Sequence, residues 1–375
     1  MNIRENAHKS GYVPALDGIR GLAIILVIVS HFFFSIGIFK AGWVGVDLFF
    51  VLSGYLIASK FIKVPISGKL VKTFFRNRAL RILPLYFLFI GVVFLLSVLL
   101  PANKQVLLYL PNLHYFWQHH LVLMQNWMYV GSKTDAGLYS PLFHLWSVAV
   151  EEQFYLLFPL IILLLARIKR KILFIVLGIS LIAVLRTIDY TIFHDSYSIF
   201  RYYCNTLFRL DSFLAGILLA VIFREVNDSR PLMLPFLGLF LLCFGLCVFN
   251  AFYFNSVSND TPFINTAGYS IIALMFMALL YFVVMRRSTM LNAIFTNRFL
   301  VFSGKISYGL YIFHFAVDFF SSSVLHKYFN FLTVLFNEKT APVIFSMIMI
   351  ALLYLISYLS YVFFESFFLK MKKKY

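Results

Sequence analysis

Apolar runs separated by short polar stretches recur along the whole chain. Ten of them, at roughly 17–38, 44–60, 82–100, 145–166, 172–188, 207–223, 232–252, 266–285, 300–322 and 342–364, have the length a helix needs to cross a bilayer. The pattern predicts an all-α, polytopic integral membrane protein with about ten transmembrane helices. Connections are short except around 101–144. There Pro101, Pro111, Trp117, Trp127 and the His114, His119, His120 group read as an interfacial belt or a short re-entrant element. No internal repeat or low-complexity linker stands out. Residues 1–375 therefore read as a single transmembrane domain with no appended soluble domain. The first run is too long for a cleavable signal, and no small-residue cleavage site follows it.

Charge turns this pattern into an orientation. Alternate flanks hold very different numbers of Lys and Arg, about three to one, and the excess marks cytoplasmic loops. The rich set includes the 60–81 and 167–171 stretches and the C-terminal lysines, so both termini are expected in the cytoplasm. A net charge of +17 would suit nucleic acid on a soluble face. With 62% hydrophobic and 13% charged residues no such face is visible, so no nucleic-acid partner is expected and membrane lipid surrounds the chain. Three cysteines are too few for a disulfide framework, and Cys243 and Cys247 share a helix face inside an apolar run with no His or carboxylate nearby. No metal site is expected.

Ionisable groups inside the apolar runs are costly and mark working sites. Leu16-Asp17-Gly18-Ile19-Arg20-Gly21 opens the first run, which continues to Ser30-His31. Eleven residues at about 100° each bring His31 back to within roughly 20° of Arg20, about 16 Å away along the axis. One helix face thus offers a cation near the cytoplasmic surface and an imidazole about halfway through. The second run carries Asp47, which needs a partner or water, and Ser53-Gly54, which reads either as part of a site or as small residues for close helix approach. Arg78 and Arg81 lie one turn apart before the third run and match an anion, although a plain headgroup anchor has the same composition. Glu151 and Glu152 stand inside the fourth run, about 100° apart, so that one reaches the site and the other a helix partner. Glu151 is the choice for the site, with Glu152 close behind. A carboxylate that fixes the tautomer of a general-base imidazole would pair it with His31. Arg209 and Asp211 read as an ion pair, and His314 as a second buried histidine.

Together these blocks resemble the acyltransferase 3 family of membrane acyltransferases, in the family's order across nearly the whole chain. The resemblance rests on Arg20 followed by ten residues and His31, on Phe49-Phe50-Val51-Leu52-Ser53-Gly54 and on Arg78-Ala79-Leu80-Arg81. It extends through Trp146-Ser147-Val148-Ala149-Val150-Glu151, Arg209-Leu210-Asp211 and Ser307-Tyr308-Gly309-Leu310-Tyr311. It implies transfer of an acyl group, usually acetyl, from cytoplasmic acyl-CoA to a hydroxyl of an extracytoplasmic glycan such as O-antigen, lipopolysaccharide or exopolysaccharide. Capsule, peptidoglycan or an antibiotic are also compatible. A bacterial cytoplasmic (inner) membrane is the implied location. Some relatives carry a further soluble hydrolase-like domain. The present sequence ends at Lys374-Tyr375, so transfer is expected to be completed by the membrane domain or a separate partner.

On that expectation acetyl-CoA is the donor substrate. Arg78 and Arg81, with Ser53 and Gly54, hold it while its arm passes Arg20; Arg20, His31 and Glu151 are the expected catalytic residues, with His31 and Glu151 activating the acceptor. Direct attack and an acetyl-histidine relay both remain open, and Ser53 is a candidate oxyanion donor. A transporter or flippase of a polar small molecule is the alternative, because buried Arg, His and Glu also build substrate pathways. Oligomeric state is not readable from the sequence.

Overall fold

A computed structural model of the chain describes residues 13–34, 36–62, 64–99, 117–132, 141–197, 200–226, 230–285, 289–324, 336–337 and 340–373. Among these residues there is no β-strand. The long helices are α1 (Pro14–Phe32), α2 (Gly45–Phe61, entered through a 3-10 turn at Gly37–Val44), α3 (Gly68–Leu99) and α4 (Trp146–Arg167). They continue with α5 (Lys171–Phe193), α6 (Thr206–Glu225), α7 (Met233–Tyr253) and α8 (Tyr269–Met285). The last are α9 (Arg298–Lys305), α10 (Ser307–Val324) and α11 (Ala341–Ser360). Among the described residues nine spans are long and apolar enough to cross a membrane, or up to ten if the bent pair α9–α10 is one. The expected all-α membrane architecture is the observed one, and the protein is a multi-pass membrane protein.

Burial grades the spans from inner to outer, with α3 and α4 between the two extremes at 33% and 44%. In α1, α2, α6 and α8 between 61% and 67% of the apolar window is buried, against 11–17% in α5, α7 and α11. The outer helices show Leu, Phe and Ile side chains along their outward faces. Those faces suit lipid, where every backbone group is already bonded within its own helix.

Glycine sets how closely the inner helices approach. A Cβ at Gly18 or Gly21 would collide with the carbonyl oxygens of Phe295 and Leu300, and one at Gly304 with that of Asp17. The glycines of the first block therefore bring α1 against α9 and the segment before it, as small residues do in membranes. Gly54 and Gly216 do the same for α2 and α6, each against the other helix's backbone.

Several expected boundaries move. The first span ends at Phe32 rather than near 38, so His31 lies in its last turn and not halfway through. The helix carrying Arg78 and Arg81 begins at Gly68, about four turns before the apolar run, because nothing in 68–81 breaks a helix. The ninth run is two helices that meet at 77°, since α9 turns aside to pack on α1.

The buried charges of the inner set are paired, though not as expected. Arg209 and Asp211 do not bond each other, because positions two apart on a helix point to different sides. Arg209 donates to Asp47 at 2.5 Å, and its guanidinium lies 4.1 Å from the Tyr269 ring. Asp211 accepts from Arg186 at 3.0 Å and from Ser270 at 2.5 Å. These pairs tie α2 to α6 and α5 to α6, and they answer the need of Asp47 for a partner.

Candidate functional site: two cavities with a common wall

Two cavities open among α1, α2, α4 and α10, with α3 lining the first. The first, of about 80 Å³, lies at the end of the bundle that carries most of the Lys and Arg, and Arg20, Arg78 and Arg81 line it. The second, of about 560 Å³, lies toward the other ends of α1 and α10 and is lined by His31, His144 and His314. Val46 and Tyr311 line both.

Helix periodicity builds the wall they share. Ser307, Tyr308 and Tyr311 of α10 face the first cavity, and Tyr311, His314, Phe315 and Asp318 face the second. Steps of three and four keep these residues on one stripe of α10. The Tyr311 hydroxyl shares a 2.5 Å hydrogen bond with Ser147 and donates to the His144 carbonyl at 3.0 Å. That pins α10 to the start of α4.

In the first cavity Glu151 accepts hydrogen bonds from Ser53, at 2.6 Å, and from the Tyr155 hydroxyl. Arg78 donates to Tyr155 at 3.3 Å, and its guanidinium sits 4.8 Å from that ring. Glu151 thus reaches Arg78 through Tyr155. Arg20 pairs with Asp17 one turn below it at 2.5 Å. Arg81 makes neither a hydrogen bond nor an ion pair among the described residues. Lys60 and Lys372 lie close enough to feel the repulsion of these arginines.

The position of Lys372 is set by a clip. Asn77 of α3 donates to the Lys373 carbonyl at 2.8 Å and accepts from its N–H at 3.0 Å, while Arg76 donates to the Met371 carbonyl at 3.3 Å. Burial, and then Arg81, Arg78, Arg20 and Lys60, push the Lys372 amine down to about 7. Such a gathering of cations beside a buried surface suits a polyanion.

The second cavity is mostly aromatic, with Trp43, Tyr203 and Phe315 among its walls, and it has polar groups at Lys40, Asn259 and Asp318. The His31 ring is half-buried, 4.9 Å from that of His314 and 5.2 Å from that of Phe315. The His144 ring is 5.0 Å from that of His314 and stacks on Phe315 at 5.5 Å.

The expected site residues therefore separate. Arg20, Arg78, Arg81, Ser53 and Glu151 meet in the first cavity, and His31 faces the second. The expected His31–Glu151 pair is not formed. Glu151 lies beyond the first turn of α4, toward the basic end, whereas His31 closes the opposite end of α1. Its rings of contact are His314 and Phe315. Gly54 lines neither cavity, and a Cβ there would strike the Phe213 carbonyl, so its role is helix approach. Glu152 lines neither cavity. No group of three or more metal-binding side chains is found among the described residues.

Tyr155 and His144 line these cavities with no role expected of them, and so do Ser147 and Tyr311, which entered only as members of the Trp146–Glu151 and Ser307–Tyr311 blocks. The signal was available for some of them, since Tyr311 precedes His314 by three residues and Tyr155 follows Glu151 by four, each on the same helix face.

The sequence profile of the family described as an acyltransferase domain (Acyl_transf_3) matches residues 13–362. A Staphylococcus aureus (strain COL) protein with a provisional O-acetyltransferase name is 32% identical over 383 residues, covering 96% of this chain and 57% of the relative. The peptidoglycan O-acetyltransferase OatA of Listeria monocytogenes is 32% identical over 381 residues, covering 97% of this chain and 57% of its own. The O-acetyltransferase OatA of S. aureus (strain NCTC 8325) is 31% identical over 337 residues, covering 85% of this chain and 53% of its own. The chain thus spans a little over half the length of these relatives, and no solved structure matches it. A family profile that runs through both cavities, from Arg20 in α1 to the end of α11, leaves one assignment: the chain belongs to the acyltransferase 3 family.

Proposed function

We propose that this protein is a membrane O-acetyltransferase that takes acetyl-CoA from the cytoplasm and acetylates a hydroxyl of an extracytoplasmic glycan in the bacterial envelope. The observation that carries the reading is the common wall. A cation-lined cavity at one end of the bundle and a histidine-lined cavity at the other share Val46 and Tyr311. The excess of Lys and Arg in the loops supports a cytoplasmic position for the first cavity and both termini. Bidentate guanidinium groups suit the phosphates of CoA, so Arg78 and Arg81 hold them, with Arg20 further along. Ser53 and Glu151 hold Tyr155, and through it Arg78, rather than serving at the acyl group. The thin arm of CoA then carries the thioester past Tyr311 toward His31.

The acceptor enters the larger cavity from the other side, where aromatic walls suit the apolar faces of sugar rings. His31 removes the proton of the acceptor hydroxyl as its oxygen attacks the thioester carbon. The tetrahedral intermediate expels the CoA sulfur, which takes that proton back from His31. An ester and free CoA result. The name of the Listeria relative makes peptidoglycan the first acceptor to test, ahead of O-antigen, lipopolysaccharide or exopolysaccharide.

The test is transfer from radiolabelled acetyl-CoA into peptidoglycan and other envelope glycans, using membranes that contain the protein or its His31→Ala variant. Alkali-labile label is expected with the intact protein. His31→Ala should lose it by about 10²–10⁴-fold, with membrane insertion unchanged. Full transfer by His31→Ala overturns the role of His31. Movement of an unmodified solute, with no binding of acyl-CoA, overturns the enzyme reading in favour of a transporter.

A further inference from the structure

Among the described residues His31 has no carboxylate partner, and Asp318 lines the same cavity without bonding it, yet a general base needs its second nitrogen held. The two other histidines of the second cavity are built to do this. His314 is fully buried, and its Nδ1 lies 2.6 Å from the Tyr311 carbonyl oxygen, one turn back on α10. A carbonyl only accepts, so this nitrogen carries the proton and Nε2 holds a lone pair. His144 is buried too, and its Nε2 lies 3.0 Å from the Ile312 carbonyl, which leaves the lone pair on Nδ1. Neither lone-pair nitrogen has a hydrogen-bond partner among the described residues. A buried acceptor without a donor is costly and calls for an explanation. The imidazole nearest to His314 is His31, at 4.9 Å between ring centres and tilted by 55°. At that separation a turn of the half-buried His31 ring brings facing nitrogens within hydrogen-bond reach.

We propose that His314 is the positioning residue for His31, filling with a neutral imidazole the place that a carboxylate takes in other histidine bases. His314 Nε2 accepts the N–H of His31. This fixes the His31 tautomer and turns its lone pair to the cavity, where the acceptor hydroxyl lies. His314 gains and loses no proton. His144, 5.0 Å from His314 and held by Ile312 of the same helix, packs the ring from behind. Tyr311 serves twice, with its carbonyl setting the His314 tautomer and its hydroxyl pinning α10 to α4. The proposal rests on His31 acting as the base.

His314→Phe keeps a ring of similar size and removes the acceptor, whereas His314→Gln keeps a carbonyl that can accept. His314→Phe is expected to lower kcat about 100-fold, the low end of what a positioned base contributes, with little change in KM for acetyl-CoA or glycan. His314→Gln should restore most of the loss. A merely structural histidine would lower the amount of folded protein in both variants and show no such rescue. Nitrogen NMR of histidine-labelled protein reads the same point directly. Wild type should show His314 protonated at Nδ1 and a single neutral tautomer of His31, and His314→Phe a mixture at His31. Wild-type kcat in His314→Phe overturns the proposal, as does a proton on His314 Nε2 in the wild type, a measurement that needs no variant to fold. The two readings separate cleanly. Activity in His31→Ala removes the base itself, whereas an inactive His31→Ala beside a fully active His314→Phe removes only the role of His314.

Discussion

Two sets of arginines lie within this bundle and are treated in opposite ways. Arg186 and Arg209 are 0% exposed, and each meets a carboxylate from another part of the bundle. Arg186 is nearly saturated, donating to Asp211, Ser270 and the Thr266 and Phe208 carbonyls. Arg20, Arg78 and Arg81 are half-buried and crowd around one small cavity with Lys60 and Lys372 near them. Asp17 pairs with Arg20, and Glu151 accepts from Tyr155, which accepts from Arg78. Glu152 lies within electrostatic range of Arg78, and Glu365 within that of Arg81 and Lys372. Charge taken out of water must be neutralised. Where the protein supplies the counter-charge, the arginine holds helices in place. Where cations outnumber carboxylates, the cavity suits the phosphates of the proposed donor.

Removing a counter-charge from the first set should have the largest effect. Asp47→Ala leaves Arg209 buried and unpaired, which costs about 3–5 kcal/mol. Thermal unfolding in detergent should show it as a marked loss of stability. Adding Arg209→Met to that variant should recover much of the loss, because an apolar pair removes the stranded charge. If Asp47→Ala unfolds like wild type, the two sets are not distinct.

The second set should behave the other way round. Arg81→Ala removes a charge-assisted contact to phosphate worth about 1.5–3 kcal/mol, or roughly 10–100-fold in acyl-CoA affinity. It should leave thermal stability in the absence of acyl-CoA unchanged or slightly raised, since it relieves repulsion. Calorimetric titration with CoA and unfolding without it check the two halves. A destabilised Arg81→Ala with normal CoA affinity would place this arginine with the structural pairs.

The smallest effect sharpens the comparison at its edge. Lys372 lies beyond the last span and holds its proton only up to about pH 7, because burial and the neighbouring arginines disfavour its charge. Below that pH it adds to the field that attracts phosphate, and above it the amine is neutral. CoA affinity should therefore fall a few-fold as pH rises from about 6 to about 8, and bound polyanion should draw a proton onto the amine. Proton uptake on CoA binding near neutral pH, measured calorimetrically in buffers of different ionisation heat, should shrink in Lys372→Gln. Equal uptake in both proteins would detach Lys372 from the cluster.

In the free protein the sign for stability is also fixed. The folded amine binds fewer protons than the unfolded one between pH 7 and the ordinary lysine range, so its share of stability rises with pH there.

The membrane architecture was legible in the chain, because hydrophobic length is a local property. Each of the ten expected runs has its helix or bent helix pair in the fold. The cluster of Arg20, Arg78 and Arg81 was legible for a related reason, since apolar surroundings make charge conspicuous. Which buried group meets which was not. Asp47 and Arg209 are 162 positions apart, and Ser53 and Glu151 are 98 apart. Gly54 showed a small residue but not whether a ligand or the Phe213 backbone approaches it.

The sequence by itself determined which runs form spans, the polar faces they carry and the families of chemistry those faces allow. Periodicity and transfer energy act residue by residue. Only the tertiary structure decided that His31 and Glu151 serve different cavities and that a histidine stands where a carboxylate was expected. Depth along a helix follows from counting, but its end and its rotation follow from what packs against it. In this bundle the end of α1 at Phe32 and the stripe of α10 from Ser307 to Asp318 set those two quantities.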